Sequence, residues 1–323
     1  VNIWTNAHFP ADTMQVLIGG AVPHRVMLAE NPSASNLQAM GPDSRLQHCE
    51  VAFGQPDPRQ VIDLPNVKWV HLTSAGYTRY DTDEFREAMR SRDGVFSNSS
   101  SVYAQPCAEH ALAMMMALSR QLSQALDDQR GDHRWPSSQL RSSSRRLNGQ
   151  SILIYGYGAI ARHLVKMLQP FGMHITGVRR QPRGDEGIAI VTSQQADALL
   201  PHTDHVMNIL PASVETETFF DADRLKRLSP TAYFYNIGRG STVDQDALQK
   251  ALESGRIAGA YLDVMTPEPL PPEHPLWRLS NCWITPHAAG GHRDENQRLI
   301  QHFLQNLKLY AAGQAVVDQI GRV

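Results

Sequence analysis

The chain predicts an α/β protein of two doubly wound units, and three observations carry the prediction. Short apolar runs alternate with helical or polar stretches along most of its length, the pattern of parallel strands joined by crossover helices. At 323 residues it is long for one hydrophobic core, so two domains are expected. In ILIYGYGAIARH a strand, a glycine-rich turn and a helix follow at once, and this junction opens a second α/β series midway along.

In the first series, from Val1 to about residue 98, VNIWTNA, RVMLA, CEVAFG and KWVHLTSAG read as strands, the last two separated by DPRQVIDLPN. AEHALAMMMALSRQLSQALDDQ then reads as one long helix, apolar almost all round through Met116. Such a helix is buried or bridges two units. SSQLRSSSRRLNGQ is polar, Ser/Arg-rich and strandless, an exposed arm or a crossing between domains. The second series begins at SILIYGYGAIARHLVKMLQPFG and continues through HITGV, a helix around 194–200, HVMNILP, TAYFYNIG, IAGAYLDV and CWITPH. Its last strand is expected to end at His287, and DENQRLIQHFLQNLKLYAAG closes the chain as a helix.

Composition narrows the partners. Hydrophobic residues make up 41% and charged ones 19%, with a net charge of -2. Nothing global attracts nucleic acid or an anionic membrane, so any charge-based recognition is local. Cys49, Cys107 and Cys282 lie far apart without metal-ligand spacing, and no metal site is expected. They read as buried thiols of a reducing compartment. No apolar stretch approaches about 18 residues and no basic-then-apolar leader is seen, so a cytoplasmic protein is the expectation.

Gly156-Tyr157-Gly158-Ala159-Ile160-Ala161 has the form G-x-G-x-x-A. The first glycine allows a tight turn, the second lets backbone approach a pyrophosphate, and the third position must be small for the helix to pack on the strand. Backbone N–H groups and the helix dipole then face the diphosphate. Alone the motif is weak; the strand before it and the helix after it point to a dinucleotide site. About 20 residues on, such a site usually ends its second strand with a carboxylate for the ribose. Here HITGV leads instead into GVRRQPRG, with Arg179, Arg180 and Arg183. A guanidinium cannot accept from a 2′-hydroxyl, but it can fork onto a 2′-phosphate. The plainer alternative is a solvated basic turn.

Three further motifs fall at strand ends. YNIGRGSTVDQDAL sets Arg239 between two glycines, where a fork donor suits an α-keto carboxylate; the alternative is a loop tie to Asp244 or Asp263. YLDVMTPEPLPPEHPLW carries Glu268 in a proline-rich loop, and CWITPHAAGG carries His287. A carboxylate on one imidazole nitrogen orients the ring and favours the form that can protonate an alkoxide. Taken singly either residue is more often structural, since the chain has 14 histidines.

GYGAIA, ILPASVET, NIGRGSTVDQDAL, LDVMTPEPLP and TPHAAG, in this order, resemble the D-isomer-specific 2-hydroxyacid dehydrogenase family. LPNVKWVHLTSAGYTRYD resembles its substrate-domain loop, and SNSSSVYAQPCAEHALAMMMALSR its interdomain helix. The resemblance covers most of the chain. It implies two Rossmann-like domains with a cleft between them: a discontinuous substrate domain, 1–98 and 288–323, and a dinucleotide-binding domain, 99–287. It implies that Arg239 binds substrate carboxylate and carbonyl, and that Glu268 pairs with His287, the general acid/base. Ser74, Ala75 and Gly76 would offer backbone N–H groups to the carboxylate. Cofactor contacts fall on Tyr157, Gly158, Ala159, Ile160, Arg179, Arg180, Leu210, Pro211, Ile237, Gly238, Arg239, Asp263, His287 and Ala289.

The implied reaction is reduction of a small 2-oxo acid such as glyoxylate or hydroxypyruvate to the D-2-hydroxy acid. The arginines make NADP(H) the preferred cofactor over NAD(H). A homodimer through the cofactor domain is the family habit, and Trp135 of the arm is expected to pack in the core or on the surface. Tyr77 and Tyr103 are candidates for the side-chain pocket. The formate-oxidising branch carries Gln where this chain has Glu268, and a phosphoglycerate-type enzyme with a regulatory tail is disfavoured by the short stretch after the last helix. A dinucleotide-sensing corepressor on the same scaffold is the alternative from another class.

Overall fold

The structure, a computed structural model, describes residues 1–33, 35–38 and 40–320. The chain divides into two compact units, Val1–Tyr103 with His292–Val323, and Ala104–Gly291. Both boundaries lie a few residues further along than the expected 98 and 288.

In the first unit, β1 (Asn2–Thr5), β2 (Arg25–Leu28), β3 (Val51–Gly54), β4 (Trp69–Leu72) and β5 (Val95–Ser97) form a parallel sheet in the order β2-β1-β3-β4-β5. This is one of the two common doubly wound orders. β3 and β4 are buried at every position, which explains their near-continuous apolar runs. Helices α1 (Ala11–Gly20), α2 (Pro58–Asp63) and α3 (Asp83–Arg90) connect the strands. The two later ones start on side-chain caps, Asp57 to the Gln60 N–H and Thr82 to the Phe85 N–H.

The second unit holds β6 (Ser151–Tyr155), β7 (His174–Val178), β8 (Ala189–Val191), β9 (His205–Asn208), β10 (Tyr233–Asn236), β11 (Gly259–Leu262) and β12 (Cys282–Ile284). They run parallel in the order β12-β11-β10-β9-β6-β7-β8. Strand order reverses between β6 and β9, and the loops after those strands are where such sheets bind ligands. Side chains alternate between two cores. Leu153, Tyr155, Val206, Phe234 and Leu262 pack on one face, Ile152, Ile154, Met207, Tyr235 and Tyr261 on the other. Burying each large aliphatic or phenylalanine side chain contributes about 1.5–3 kcal/mol, so covering both faces with helices is strongly favoured.

Several elements differ from the sequence expectations. The long helix is two, α4 (Ser100–Ser119) and α5 (Leu122–Arg130), broken where Gln121 takes a left-handed conformation, φ 56°. The Gln121 side chain donates to the Leu118 carbonyl and to Tyr233 Oη, which replaces helical pairing at the break. The polar arm contains α6 (Ser137–Ser143) and lies within the second unit, not at a crossing. Trp135 is 93% exposed, so it packs in no core of its own chain. β8 was not anticipated, and β12 ends at Ile284, short of His287.

The remaining helices of the second unit are α7 (Ala159–Leu168), α8 (Ser193–Leu199), α9 (Ala222–Arg227) and α10 (Gln245–Glu253). The last, α11 (Glu295–Ala311), returns to the first unit and buries Leu299, Ile300, Phe303 and Leu307. Phe303 stacks on Phe53 with ring centroids 4.0 Å apart and on Trp69 at 5.3 Å. This apolar stripe is why the first unit needs the chain's final helix.

Two histidines away from the candidate site are structural. His71 lies fully buried with Nδ1 2.8 Å from Ser97 Oγ, and burial pushes it well below its usual value. His205, between Tyr235 Oη and Gln150 Oε1, is pushed by burial down to about 4. All three cysteines are free, and burial raises Cys49 to about 11 and both Cys107 and Cys282 to about 12. Thiols held that high are protonated and inert. No helix among the described residues is long and apolar enough to cross a membrane.

Candidate active site

The glycine loop joins β6 to α7, with Gly156 at φ 92°. A Cβ there would meet the Ile209 carbonyl oxygen at 2.7 Å, so the turn both needs positive φ and packs against the loop after β9. Gly158 differs: no atom lies within 4 Å of the position a Cβ would take. It is the N-cap of α7 and no side chain caps that end. The Gly158 N–H donates to the Gly156 carbonyl at 3.1 Å, and open space over the N–H groups of Ala159 and Ile160 that follow is what a diphosphate requires. The residues therefore fit a dinucleotide. Tyr157 contributes its backbone only, because its side chain turns inward: it is 7% exposed and its hydroxyl donates to the Glu186 carbonyl at 2.9 Å.

The arginines after β7 are not equivalent. Arg179 Nη1 donates to Glu186 Oε1 at 2.9 Å, and the Glu186 side chain is 3% exposed. Arg180 pairs with Glu215 in the loop after β9, both largely exposed. The Arg183 side chain has no carboxylate partner among the described residues. Glu186 was missed from sequence. The available signal was an acid inside GDEG, seven residues after Arg179 and next to a short apolar run.

Arg239 follows β10, its Nη1 donating to the Gly238 carbonyl at 2.6 Å. The loop tie weighed as its alternative role is not made. Asp244 caps α10 through the Ala247 N–H, and Asp263 is occupied elsewhere. Among the described residues no carboxylate forms an ion pair with Arg239. Burial lowers its pKa from the ordinary value, against the opposing charge of Glu268. The loop fits tightly on its neighbours: a Cβ on Gly238 would meet the Leu210 carbonyl oxygen at 2.6 Å, and one on Gly240 the Met265 backbone at 2.1 Å. No larger residue fits at 240 without moving the loop that carries Glu268.

Glu268 and His287 meet, with Oε2 2.8 Å from Nδ1. The other carboxylate oxygen accepts the Met265 N–H at 3.0 Å. Burial raises the Glu268 pKa, but the His287 and Met265 hydrogen bonds and the Arg239 charge outweigh it, and the net shift is downward. His287 sits at φ 52°, which a residue with a Cβ adopts only when surroundings impose it. Asp263 imposes it. Its carbonyl accepts the His287 N–H at 2.8 Å, and its carboxylate accepts the N–H groups of Ala288 and Ala289 and the Thr285 hydroxyl. Asp263, expected as a cofactor contact, thus also anchors the His287 loop.

The other predicted positions are placed as follows. Leu210 and Pro211 lie in the loop after β9, where the Leu210 N–H donates to Asn208 Oδ1 and the Pro211 carbonyl accepts from Thr216. Ile237, in the Arg239 loop, and Ala289, in the His287 loop, are both buried. Ser74, Ala75 and Gly76 belong to the first unit, in the loop after β4. Gln55 Nε2 holds Ser74 Oγ at 3.0 Å and Asn98 Nδ2 holds the Ala75 carbonyl at 2.6 Å. The N–H groups of residues 74–76 donate to no partner among the described residues. Tyr103 bonds the Thr73 carbonyl and Glu295, the partner-seeking habit of a buried tyrosine.

Comparison with known proteins agrees with this geometry. A family model described as "D-isomer specific 2-hydroxyacid dehydrogenase, NAD binding domain" matches residues 112–289. The chain is 30% identical over 281 residues to the glyoxylate reductase of Korarchaeum cryptofilum, covering 84% of this chain and 82% of that protein. It is 31% identical over 246 residues to the glyoxylate reductase/hydroxypyruvate reductase of Homo sapiens, covering 74% and 73%. A solved D-isomer specific 2-hydroxyacid dehydrogenase from Xanthobacter autotrophicus Py2, in complex with NADPH and MES, superposes with a TM-score of 0.77 at 25% identity, over 100% of this chain and 98% of that one. With a family match that takes in the glycine loop, Arg239, Glu268 and His287, this chain belongs to the D-isomer-specific 2-hydroxyacid dehydrogenase family of oxidoreductases.

Proposed function

We propose that this enzyme reduces a small 2-oxo acid, of the glyoxylate or hydroxypyruvate class, to the D-2-hydroxy acid, with NADPH preferred to NADH. The observation that carries the reading is the Glu268–His287 hydrogen bond at 2.8 Å in a unit that also holds Arg239, which forms no ion pair with a carboxylate among the described residues. The glyoxylate reductase names of the relatives support the substrate class. When bound, the nicotinamide would supply the hydride. His287 holds the proton for the substrate oxygen, with Nδ1 tied to Glu268 and Nε2 left for substrate. Arg239 takes the carboxylate and the developing oxyanion. A panel of 2-oxo acids with purified protein tests the reading, and absence of NADPH oxidation across it would replace catalysis with a sensing role.

The cofactor preference rests on the arginine loop. Glu186 offsets the charge of Arg179, and residues 179–186 hold three arginines against Asp185 and Glu186, so the loop stays net positive through Arg180 and Arg183; the exposed partner of Arg180, Glu215, is readily exchanged for a phosphate. Removing both Arg179 and Arg180 with alanine should cost about 1.5–3 kcal/mol, about 10–100-fold in kcat/KM for NADPH, with NADH nearly unaffected. A wild-type preference for NADH, or a double variant that keeps its NADPH rate, would sink the 2′-phosphate assignment.

Dimerisation through the arm of the cofactor unit completes the reading. Met116, Leu122, Leu126 and Trp135 on α4, α5 and the arm are 41%, 49%, 40% and 93% exposed. Large apolar side chains left exposed on these neighbouring segments support an interface there. Sedimentation equilibrium should give twice the chain mass for the wild type and a shift toward monomer for Leu122→Glu with Trp135→Glu. A monomeric wild type at micromolar concentration would exclude the dimer.

A further inference from the structure

Glu186 is a buried carboxylate in an otherwise exposed, basic loop, and both its carboxylate oxygens and its carbonyl are engaged. Oε1 accepts Arg179 Nη1 at 2.9 Å and the Arg183 N–H at 2.7 Å; Oε2 accepts the Gly184 N–H at 2.8 Å. Its carbonyl accepts the Tyr157 hydroxyl at 2.9 Å. Tyr157 is the middle residue of the glycine loop, so one residue links the phosphate loop to the arginine loop. Gly177, just before those arginines, makes room for the link: a Cβ there would meet the Tyr157 ring at 2.8 Å and Ile190 at 2.7 Å.

A loop tie alone does not call for this arrangement. The two backbone donors would be satisfied by any acceptor oxygen of the right reach, whereas burying a full charge is costly unless a cation matches it. The guanidinium of Arg179 is that match, and Glu186 uses one of its five donors. A long free side chain gives up rotamer freedom when it closes on a ligand. Arg179, 18% exposed and already held, has given up that freedom beforehand. The backbone donors of Arg183 and Gly184 keep the carboxyl ionised: together with Arg179 they hold its pKa below the usual range despite the burial.

We propose that Glu186 is a positioning residue for cofactor selection, holding Arg179 at the end of β7 in the orientation that accepts the 2′-phosphate of NADPH. The division of work follows from charge. Arg180 and Arg183 supply net attraction, and the neutralised Arg179–Glu186 pair supplies geometry. This rests on the NADPH reading above.

Glu186→Gln keeps the side chain's length and one of its two acceptor oxygens, and removes the charge that orients Arg179 together with one backbone acceptor. Adenosine 2′,5′-bisphosphate and 5′-AMP, which differ by the 2′-phosphate, are the calorimetric probes. In Glu186→Gln the affinity for the bisphosphate should fall about 10-fold and that for AMP less than about twofold. The kcat/KM ratio for NADPH over NADH should fall in parallel, through KM rather than kcat. In an Arg179→Ala background the same substitution should change the ratio no further, since the two act as one unit.

Equal losses with both probes, an unchanged ratio, a ratio that rises, or additive losses in the double variant each overturn the proposal. If Glu186→Gln does not fold, Tyr157→Phe removes only the carbonyl bond and should lower the ratio by about 2–3-fold, a small fraction of a charged contact; an unchanged ratio there counts against the link. A wild type that binds the bisphosphate no more tightly than AMP defeats the NADPH reading itself. A wild type that discriminates and a Glu186→Gln variant that still does so defeats only this inference.

Discussion

Replacing His287 with Asn should lower kcat for 2-oxo acid reduction by about 10²–10⁴-fold, with the cofactor Kd changed by less than about threefold. Asn keeps a polar group in the left-handed conformation that His287 occupies and is among the residues that tolerate it best, so the loop should survive. What is lost is a proton-bearing ring. Glu268 fixes which nitrogen is engaged: its carboxylate takes Nδ1, so that in the proposed reaction Nε2 serves the substrate oxygen. Because the folded pKa of Glu268 lies below its ordinary value, the ionised form is already present throughout the range above about 4.3. The stabilisation it gives is complete there and lost only as pH falls through the lowered value. Glu268→Gln should therefore slow the reaction at neutral pH yet add nothing in a His287→Asn background. Single-turnover kinetics of NADPH oxidation give the measurement, and a His287→Asn enzyme within tenfold of wild type would remove His287 from the proton-transfer role.

Arg239→Met should reduce kcat/KM for the 2-oxo acid by about 10²–10³-fold, and Arg239→Lys should recover only part of it, since a point charge cannot reproduce a forked donor. The stability change separates this from a structural role. Arg239 is pulled down from its ordinary pKa by burial and has no ion-pair partner among the described residues. Such a charge costs folding energy, which active sites accept in exchange for function. Thermal unfolding of Arg239→Met should show a Tm equal to or above that of wild type. A clear fall in Tm alongside the lost activity would mean that Arg239 holds the loop together instead.

Much of the site was legible because its signals are local. G-x-G-x-x-A demands a strand before it and a helix after it, and both β6 and α7 are there. NIGRG, EPLP and PHAAG name their side chains without reference to anything distant. The breaks and partners were not legible. Gln121 ends α4 because Tyr233, 112 residues away in sequence, offers its side chain a partner. β8 is three residues long and gains its identity only by pairing with β7. The Glu186 carbonyl is held by a tyrosine from another loop and its carboxylate by Arg179, which makes an ordinary-looking acid the centre of the arginine turn.

The sequence by itself determined the two α/β series, the diphosphate turn and the identities of Arg239, Glu268 and His287, because periodicity, glycine geometry and side-chain chemistry are properties of short segments. Only the tertiary structure decided which arginine is charge-compensated, that Asp263 anchors the His287 loop, and that Arg239 lacks, among the described residues, the carboxylate that would have made it a tie. Those are questions of partner choice. A charge is defined by its residue, but its effect is set by whatever the fold brings within about 4 Å of it.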